Sequence, residues 1–293
     1  MGGMNQIDIP PVLVIGATGR VGRLVIDQLL DAGVPVRALT RRSEAAALPA
    51  KVKVFAGDLT VPESLDPALS GAGAVFLVWT APPQTVEAVV ERLAAHVRRV
   101  VFLSSPHQTP HPFFQQPNPM AVLHADIERL IAATGLESTI IRPGMFASNS
   151  LAWWAPAIRA GEIVRWPYGG AQWAPVDDRD IAAVAARTLC QGGYVGGDYV
   201  LTGPESLTQA AQVDVIGDTL GRRIVCEEIT PDEFRSLWGT VPSSAVDMLL
   251  AAWNAAVGQP AYVTTVVADI LGTEPRTFRE WAVDHATAFR QGS

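Results

Sequence analysis

The stretch Val12-Leu-Val-Ile-Gly16-Ala-Thr-Gly19-Arg-Val-Gly22 decides the fold. Its four apolar residues predict a buried strand, and the three glycines after them predict a tight turn into a helix. In such a loop one glycine permits the turn, one lets the backbone approach a pyrophosphate, and one allows the helix to contact the strand. Amide groups and the positive dipole at the start of the helix can then hold the phosphates. The spacing favours a dinucleotide-binding loop over the alternative, a tight connection without a ligand.

Short apolar runs recur through the first half of the chain, separated by stretches that are typical of helices. The runs are Val12–Ile15, Val36–Leu39, Val52–Phe55, Ala74–Trp79, Val100–Leu103 and Thr139–Ile141. Nearly continuous apolar runs of this length indicate parallel strands that are covered on both faces. Thr60 and Glu63 are spaced as a capping box for one helix, and another helix is expected to begin after Asn118 and to stop at Gly135. This alternation predicts an α/β fold with a doubly wound parallel sheet and right-handed crossovers.

The second half of the chain has few strand patterns and many aromatic residues. Its tryptophans are Trp153, Trp154, Trp166, Trp173, Trp238, Trp253 and Trp281. Leu207–Leu220 and Ala245–Ala256 are typical of helices, and Tyr199–Leu201 is the clearest strand. We therefore expect a nucleotide-binding domain over residues 8–150, with a return segment near 174–202. Residues 151–293 are expected to form a smaller, mostly helical substrate-binding portion.

The composition excludes several classes of protein. Apolar residues make up 48% of the chain, which is enough for a packed core. The 22 basic and 29 acidic side chains give a net charge of −7, so we expect neither nucleic acid nor a membrane as a partner. Two cysteines, Cys190 and Cys226, are too few for a disulfide framework and lack metal-ligand spacing. Because no targeting or membrane-spanning pattern is visible, a cytoplasmic protein is expected, as a monomer or homodimer.

The end of the second predicted strand indicates which dinucleotide the loop holds. An NAD site places an acidic residue about 20 residues beyond the glycines, where it binds the ribose 2′-hydroxyl. Arg37-Ala-Leu-Thr40-Arg41-Arg42 stands there instead and contains no acid. Arginine forms charge-assisted hydrogen bonds with a 2′-phosphate, which favours NADP(H), although a solvated loop would carry the same residues. Asp58, after the third strand, is either an adenine contact or a turn former.

Further patterns lie along the whole chain in a fixed order. They are Val14-Ile-Gly-Ala-Thr-Gly-Arg-Val-Gly22, Val36-Arg-Ala-Leu-Thr-Arg41, Ala56-Gly-Asp-Leu59, Val101-Phe-Leu-Ser-Ser105, Thr134-Gly-Leu-Glu-Ser-Thr-Ile-Ile-Arg-Pro-Gly-Met-Phe146, Asn149, Val176-Asp-Asp-Arg-Asp-Ile181 and Tyr199-Val-Leu-Thr-Gly-Pro204. In this order and spacing they resemble the NmrA-like, atypical branch of the short-chain dehydrogenase/reductase superfamily.

The resemblance implies a Rossmann domain that binds NADP(H) along the carboxyl ends of its strands, with a C-terminal portion that forms the substrate pocket. It places Thr18, Arg20 and Val21 near the phosphates and Arg41 at the 2′-phosphate, and it lines the nicotinamide ribose with Trp79–Pro82. Motifs and resemblance together give the expected cofactor-binding residues, which are Gly16, Thr18, Gly19, Arg20, Val21, Gly22, Arg41, Arg42, Asp58, Leu59, Trp79, Thr80 and Ala81.

The chain lacks the acid that typical members of this superfamily use. They carry Tyr-x-x-x-Lys on a helix, where the lysine one turn on lowers the pKa of the phenol. None of the four tyrosines is followed by a lysine four residues later, and the only lysines are Lys51 and Lys53. The dyad therefore cannot exist anywhere in the chain.

Other side chains are candidates for the missing acid. The helix expected after residue 118 carries Met120 where the tyrosine would be and His124 where the lysine would be. Glu128 lies one turn further on and could charge or orient His124, or the two could form an ordinary surface pair. Two serines end the fifth strand, where hydroxyls could bind a substrate carbonyl or simply mark the strand exit. The catalytic candidates are His124, Ser104 and Ser105.

A proline-rich loop, residues 106–119, contains His107 and His111. Their spacing would suit a metal only on a helix, which Pro110 and Pro112 oppose, so no metal is expected. The loop is more typical of a lid or rim, from which His107 could reach a substrate.

The residues that follow the sixth strand predict the rest of the substrate site. The expected substrate-binding residues are His107, Phe146, Asn149, Trp153 and Trp166. An aromatic pocket would suit a small apolar or aromatic substrate, although core packing explains each tryptophan equally well. The acidic run Asp177–Asp180 precedes a helical pattern and is better explained as a helix N-cap than as a catalytic carboxylate pair.

Three functions remain open from the sequence. The first is an NADPH-dependent reductase of a bulky apolar carbonyl, quinone or enone, including a natural-product tailoring enzyme. The second is a redox sensor that binds NADP without catalysis. The third is a tailoring enzyme, such as an isomerase or cyclase, that does not consume the cofactor.

Overall fold

The computed structural model describes residues 10–42 and 47–290. The start of the chain, where no targeting pattern was found, lies outside these residues. The strands are β1 (Val12–Ile15), β2 (Val36–Thr40), β3 (Lys53–Ala56), β4 (Ala74–Val78), β5 (Arg99–Leu103), β6 (Glu137–Pro143), β7 (Val164–Trp166), β8 (Gln172–Trp173), β9 (Asp198–Leu201), β10 (Leu207–Thr208) and β11 (Cys226–Glu228). The helices are α1 (Arg20–Asp31), α2 (Asp66–Leu69), α3 (Val86–His96), α4 (Pro119–Ala133), α5 (Asn149–Trp153), α6 (Ala155–Ala160), α7 (Asp178–Cys190), α8 (Gln209–Thr219), α9 (Pro231–Leu237), α10 (Ser243–Ala256), α11 (Val266–Leu271) and α12 (Phe278–Asp284).

Seven strands form one sheet in the order β3-β2-β1-β4-β5-β6-β9. Val12 of β1 pairs in parallel with Val36 of β2 on one side and with Ala74 of β4 on the other. The chain therefore runs outward from β1 to β3 and then returns to β4 on the other side of β1. This reversal is the topological switch point at which doubly wound sheets bind their ligands. The predicted fold class is confirmed.

Burial follows the apolar runs from which the strands were predicted. Every residue of β1 and of β5 is buried. Such strands need cover on both faces, which explains why they have no alternating pattern. The core of this part of the chain gathers Leu13, Val75, Phe102 and Ile127 with other apolar side chains of the sheet and its helices.

Local signals fix the bounds of helix α4. The Oδ1 atom of Asn118 accepts hydrogen bonds from the amides of Met120 and Ala121, so this side chain caps the helix as predicted. Gly135 adopts a positive φ of 77° just beyond the last turn, which ends the helix there.

The capping box expected at Thr60 and Glu63 is wrong. Residues Pro62–Leu65 form a single 3₁₀ turn, and no side chain caps its start. The amide of Thr60 instead donates to Oδ1 of Asp58 at 2.9 Å. The local side-chain hydrogen bond therefore forms an Asx turn at Asp58 and not an N-cap at Thr60.

The described residues divide into two compact units, and the chain enters each of them three times. The first unit comprises residues up to 104, 123–142 and 181–199, and the second comprises 105–122, 143–180 and 200 onward. The first contains the parallel strands β1 to β5. The domain boundary expected at residue 150 stays a prediction.

The second unit contains mostly helices, as predicted. Two short sheets accompany them, an antiparallel pair of β8 with β10 and a parallel pair of β7 with β11. Its core is aromatic, with Trp154 and Trp253 fully buried beside Phe234. Within the described part of the chain, no helix is both long and apolar enough to span a membrane.

Candidate functional site

The glycine-rich loop of the first unit leaves no room for a side chain at two of its glycines. Gly16 has a φ of 85°, and a Cβ atom there would lie 2.8 Å from Cβ of Val78. A Cβ at Gly22 would lie 2.2 Å from the carbonyl oxygen of Gly16. These two glycines therefore serve the turn and the loop–helix contact that the sequence predicted for them.

Helix α1 presents an open N-terminus at this loop. Gly19 caps the helix without any side-chain hydrogen bond, and the first turn contains no acidic residue. Thr18, Gly19 and Arg20 are exposed. The backbone amides and the positive end of a twelve-residue helix can bind a phosphate group.

A cleft of about 490 Å³ lies in the first unit at the carboxyl ends of β1 to β4. Its walls are Ile15, Gly16, Thr18, Gly19, Leu39, Thr40, Arg41, Arg42, Gly57, Asp58, Leu59, Val78 and Thr80. Five other residues expected to bind cofactor, Arg20, Val21, Gly22, Trp79 and Ala81, are not part of this wall. Val21 and Trp79 are buried, and the indole N–H of Trp79 donates to the carbonyl of Ala81 at 2.6 Å.

Two charged regions lie in the cleft wall. Arg41 and Arg42 follow β2 with their side chains exposed, and the described residues just after this strand include no acid. Asp58 follows β3, and the hydrogen bond from the backbone of Thr60, aided by the charge of Arg41, lowers the pKa of this carboxyl below its usual value. Asp58 is thus a turn former whose side chain also lines the cleft.

Arg23 is a residue that the sequence reasoning missed. Its Nε donates to the carbonyl of Thr18 at 3.1 Å, and its Nη1 donates to the carbonyl of Ala47 at 2.9 Å. The side chain thereby ties the phosphate loop to the segment beyond β2. Ala47 adopts a φ of 42°, a strained conformation for a residue with a Cβ, and this bond helps to hold it.

Ser104, at the end of β5, belongs to a buried ionic network of the first unit. Its hydroxyl donates to Oε1 of Glu128, which also accepts from Nε of Arg142 at 3.0 Å. Nη2 of Arg142 donates to Oε2 at 2.5 Å, and Asp198 binds the remaining nitrogen of the guanidinium. The side chains of Arg142 and Glu128 are only 5% and 10% exposed.

These hydrogen bonds limit the chemical roles that Ser104 and Glu128 can have. The proton of Ser104 is engaged by a carboxylate, so this hydroxyl offers only lone pairs to a ligand. Glu128 serves as an acceptor for Ser104 and Arg142. The ring of His124 packs edge-on against Phe102, with the ring centres 5.5 Å apart.

Ser105 and His107 belong to the second unit and line a cavity of about 110 Å³ there. The cavity wall consists of Ser105, Pro106, His107, Phe113, Phe114, Gln116, Asn118, Ala121, Met145, Met248, Leu249 and Ala252. Nδ1 of His107 lies 3.0 Å from the carbonyl oxygen of Ser105. Because a carbonyl can only accept, this nitrogen carries the proton.

The other substrate-site candidates occupy different places in the second unit. Phe146 forms a β-bridge with Val176, and its carbonyl accepts the amide of Asn149, which begins α5. Trp153 packs against neighbouring tryptophans, and Trp166 is 2% exposed with its indole N–H bonded to Gln209. None of these candidates is among the described residues of the 110 Å³ cavity wall.

His111 is a buried brace of the proline-rich loop. Its Nε2 donates to the carbonyl of Pro260 at 2.9 Å, and its Nδ1 accepts the amide of Phe113 at 3.3 Å. Both ring nitrogens are therefore in use. Across the described residues, no group of three or more potential ligand side chains is placed to hold a metal ion.

The acidic run at residues 177–180 caps helix α7. Oδ1 of Asp177 accepts the amide of Arg179 at 2.8 Å, which confirms the predicted N-cap. Oδ2 of Asp177 accepts from Nε of Arg276, and Asp180 accepts the backbone amide of Arg276, each at 2.8 Å. Burial raises the pKa of Asp180 to about 6. These carboxylates therefore hold the second unit together.

Comparison with known proteins assigns the chain to a family and finds relatives with different activities. The profile of a family described as NAD(P)H-binding matches residues 16–189. The (4-alkanoyl-5-oxo-2,5-dihydrofuran-3-yl)methyl phosphate reductase of Streptomyces griseus is 37% identical, over 95% of this chain and 99% of the relative. An NAD(P)H azoreductase of Xenophilus azovorans is 30% identical, over 95% of this chain and 99% of the relative.

A solved structure has the same fold. The NADPH-dependent quinone oxidoreductase of Escherichia coli, in its complex with NADPH, superimposes with a TM-score of 0.79 at 23% identity. The match covers 93% of this chain and 99% of that one.

Proposed function

Because this chain belongs to the NAD(P)H-binding family of oxidoreductases, as an atypical short-chain dehydrogenase/reductase of the NmrA-like branch, we propose that it is an NADPH-dependent reductase of apolar, conjugated acceptors such as quinones and enones. One observation carries this proposal. The cleft of the first unit offers a phosphate-binding loop and two arginines, whereas the chain holds no Tyr-x-x-x-Lys acid for reducing a simple ketone.

The cleft fits a dinucleotide with an additional phosphate. The loop has no side chain at Gly16 and Gly22, where a Cβ atom would not fit. The N-terminus of α1, which no side chain caps, can bind the pyrophosphate. Arg41 and Arg42 line the same cleft, and guanidinium groups are well suited to a 2′-phosphate, which supports this choice of cofactor. NADPH is thus favoured over NADH.

The hydrogen bonds of the first unit favour a substrate that needs little help from an acid. When bound, NADPH supplies a hydride to an electron-poor carbon or oxygen of the substrate. In a quinone or enone the resulting negative charge spreads over a conjugated oxygen, whereas a simple ketone concentrates it and requires a proton donor in place. Ser104 cannot be that donor while its proton is held by Glu128. His124 or water would deliver the single proton that completes the reduction.

The relatives' names support this substrate class. The Streptomyces griseus reductase is named for a dihydrofuranone whose ring alkene is conjugated with carbonyl groups, and the other two proteins are named for azo compounds and quinones. Each of these acceptors is an electron-poor conjugated system. A role in the tailoring of natural products would be consistent with the first of them.

A panel assay tests the proposal. The purified protein is mixed with NADPH and, in separate reactions, with a monocyclic quinone, a cyclic enone and an unconjugated cyclic ketone, and oxidation of NADPH is followed by absorbance. We expect turnover with the quinone or the enone, at least about tenfold less with the ketone, and a preference for NADPH over NADH. Equal rates with all three acceptors, or no rate above background, would refute it.

A further inference from the structure

We propose that Phe114 limits the size of the substrate that the second unit accepts, because its ring separates the 110 Å³ cavity from a smaller cavity beside it. This inference rests on the proposed function and names the substrate class more narrowly, as quinones and enones with a single ring. Removal of the ring of Phe114 should join the two cavities and extend binding to two fused rings. The argument uses only residues of the second unit.

The larger cavity has room for one ring. An apolar protein cavity of about 150 Å³ takes up benzene, so about 110 Å³ with a partly open side suits one ring and little more. Leu249 and Ala252 contribute apolar side chains to its wall, and Met248 adds a flexible thioether that adapts to a ring edge. A second fused ring finds no space within this wall.

A second cavity, of about 10 Å³, shares part of its wall with the first. This volume holds about one water molecule. Phe113, Phe114 and Met145 line both cavities, whereas Ala261 and Tyr262 line only the smaller one. The three shared side chains therefore form a partition between the two spaces.

The ring of Phe114 spans the gap between two segments of the chain. It packs edge-on against Phe113, with the ring centres 5.0 Å apart. At its other end, a Cβ atom built at Gly144 would lie 3.8 Å from Cζ of Phe114. Phe113 belongs instead to the core, where it is 8% exposed and packs against Trp173. Phe114 is thus the part of the partition that can be removed without opening the core.

The loop that carries Phe114 is held in place before any ligand binds. The amide of Phe114 donates to the carbonyl of His111 at 2.9 Å, and the two rings are edge-on with their centres 6.0 Å apart. His111 is itself fixed, since its Nε2 donates to the carbonyl of Pro260 at 2.9 Å. A partition held in this way sets a size limit that a substrate cannot easily shift.

Polar groups in the wall of the smaller cavity already have partners within the protein. Oε1 of Gln172 accepts the hydroxyl of Ser206 at 2.9 Å, and the hydroxyl oxygen of Thr202 accepts the amide of Thr264 at 3.0 Å. Both ring nitrogens of His111 are also engaged. An apolar ring that entered this space would therefore break none of these hydrogen bonds, and it would displace about one water molecule.

Binding of redox-inert probes tests the partition without any turnover. Calorimetry measures the affinities of 4-methylphenol, with one ring, and 2-naphthol, with two fused rings, for the protein without cofactor. We expect the native protein to bind 2-naphthol no more tightly than 4-methylphenol, because the second ring finds no space. Phe114→Ala should bind 2-naphthol at least about tenfold more tightly than the native protein does, through burial of the second ring, and should show no gain for 4-methylphenol.

Further variants locate the second ring. Met145→Ala shortens another side chain of the partition and should raise the affinity for 2-naphthol in the same direction. In the double variant Phe114→Ala/Ala261→Phe a new ring fills the smaller cavity, which should restore the native ratio of affinities. Phe55→Ala, at a partly buried phenylalanine on strand β3 of the first unit, is the matched control and should change neither affinity.

Thermal unfolding confirms that each variant is folded, and if Phe114→Ala does not fold, Met145→Ala decides the question alone. A native protein that binds 2-naphthol tenfold more tightly than 4-methylphenol would overturn the partition. Absence of the gain in the folded Phe114→Ala variant, or a gain that survives in the double variant, would overturn it as well.

These measurements need neither NADPH nor a reaction, so they stand apart from the fate of the proposed reductase activity. A protein whose variants bind the probes as expected, and which yet reduces no acceptor, would keep the partition and lose the proposed function. A protein that reduces quinones but whose variants show no change in probe binding would keep the function and lose the partition.

Discussion

The cleft of the first unit and the cavity of the second are built by opposite means. The cleft is large, about 490 Å³, and its wall is formed by loop backbone, glycines and the two arginines after β2. The second unit has a cavity of about 110 Å³ whose wall is mostly apolar side chains, together with Ser105, His107, Gln116 and Asn118. A cofactor common to many enzymes can be bound largely by backbone groups, whereas a small apolar cavity takes its shape from side chains.

Each unit also contains buried carboxylates that are bonded to an arginine. In the first unit a buried ion pair of Glu128 and Arg142 joins α4 to β6. In the second unit a group of aspartates at the start of α7 is bonded to Arg276. Substitutions that act on backbone space, on buried charge and on exposed charge should therefore have effects of decreasing size.

Gly22→Ala should have the largest effect, since it disrupts the close contact between the loop and helix α1 on which the shape of the cleft depends. A Cβ at this position would overlap the carbonyl of Gly16, which cannot move without unfolding the loop. We expect the dissociation constant for NADPH, measured by calorimetry, to rise by about 1000-fold or more, a loss of roughly 4 kcal/mol. Gly193→Ala, where a Cβ meets nothing within 4 Å, should bind NADPH normally. Unchanged affinity in Gly22→Ala would mean that the loop does not hold the phosphates.

Glu128→Gln should cost the first unit stability. The substitution leaves Arg142 buried with half of its charge compensation, and loss of one partner of a buried pair typically costs about 3–5 kcal/mol. The free energy of unfolding in urea is the measurement. Asp126→Asn, at an exposed site on the same helix, is the control and should change the unfolding free energy by less than about 0.5 kcal/mol. A similarly small loss in Glu128→Gln would show that the ion pair does not stabilise the sheet.

Asp180→Asn should stabilise the second unit in a pH-dependent way. Burial raises the pKa of Asp180 to about 6 in the folded protein, above the ordinary 3.8, so folding favours its neutral form. The contribution of this group is fully favourable below about pH 4 and is lost as the pH rises through 6, which costs up to about 3 kcal/mol at pH 8. The amide variant should thus unfold at a higher temperature than the native protein at pH 8, by an amount that shrinks to nothing near pH 4. A difference that is the same at both pH values would contradict the assignment.

Arg41→Ala should have the smallest of these effects, because the side chain is exposed and screened by solvent. We expect the dissociation constant for NADPH to rise about tenfold, as for loss of one charge-assisted hydrogen bond, and that for NADH to stay the same. Arg129→Ala, at another exposed arginine, should leave both unchanged. An equal loss for both cofactors would assign Arg41 to the pyrophosphate or to the loop rather than to the 2′-phosphate.

The sequence predicted those parts of the molecule that depend on neighbouring residues. The phosphate loop could be predicted because its three glycines are three residues apart, and Gly16 and Gly22 each meet a local steric limit. The caps at Asn118 and within the acidic run 177–180 were predicted for the same reason, since a cap bonds the amides two or three residues away. The capping box predicted at Thr60 does not form, because the amide of Thr60 donates a hydrogen bond to the side chain of Asp58 and closes a turn there.

The parts that the sequence did not predict depend on distant residues. Glu128 binds Ser104 and Arg142, which lie 24 and 14 residues away, and nothing in the helical pattern distinguishes this glutamate from a surface one. Arg23 reaches Ala47 across the first strand pair. The cavity of the second unit draws its wall from three separate segments, so only the folded chain brings Ser105, Met145 and Met248 together.

Transfer of deuterium from cofactor to product tests the central claim most directly. The protein is incubated with a monocyclic enone and with NADPH in which both hydrogens on C4 of the nicotinamide are replaced by deuterium. The product is examined by mass spectrometry. The account predicts a saturated ketone with one deuterium on the carbon β to the carbonyl, formed in step with NADP⁺. A product without deuterium, or no product while NADPH stays bound and unoxidised, would contradict it.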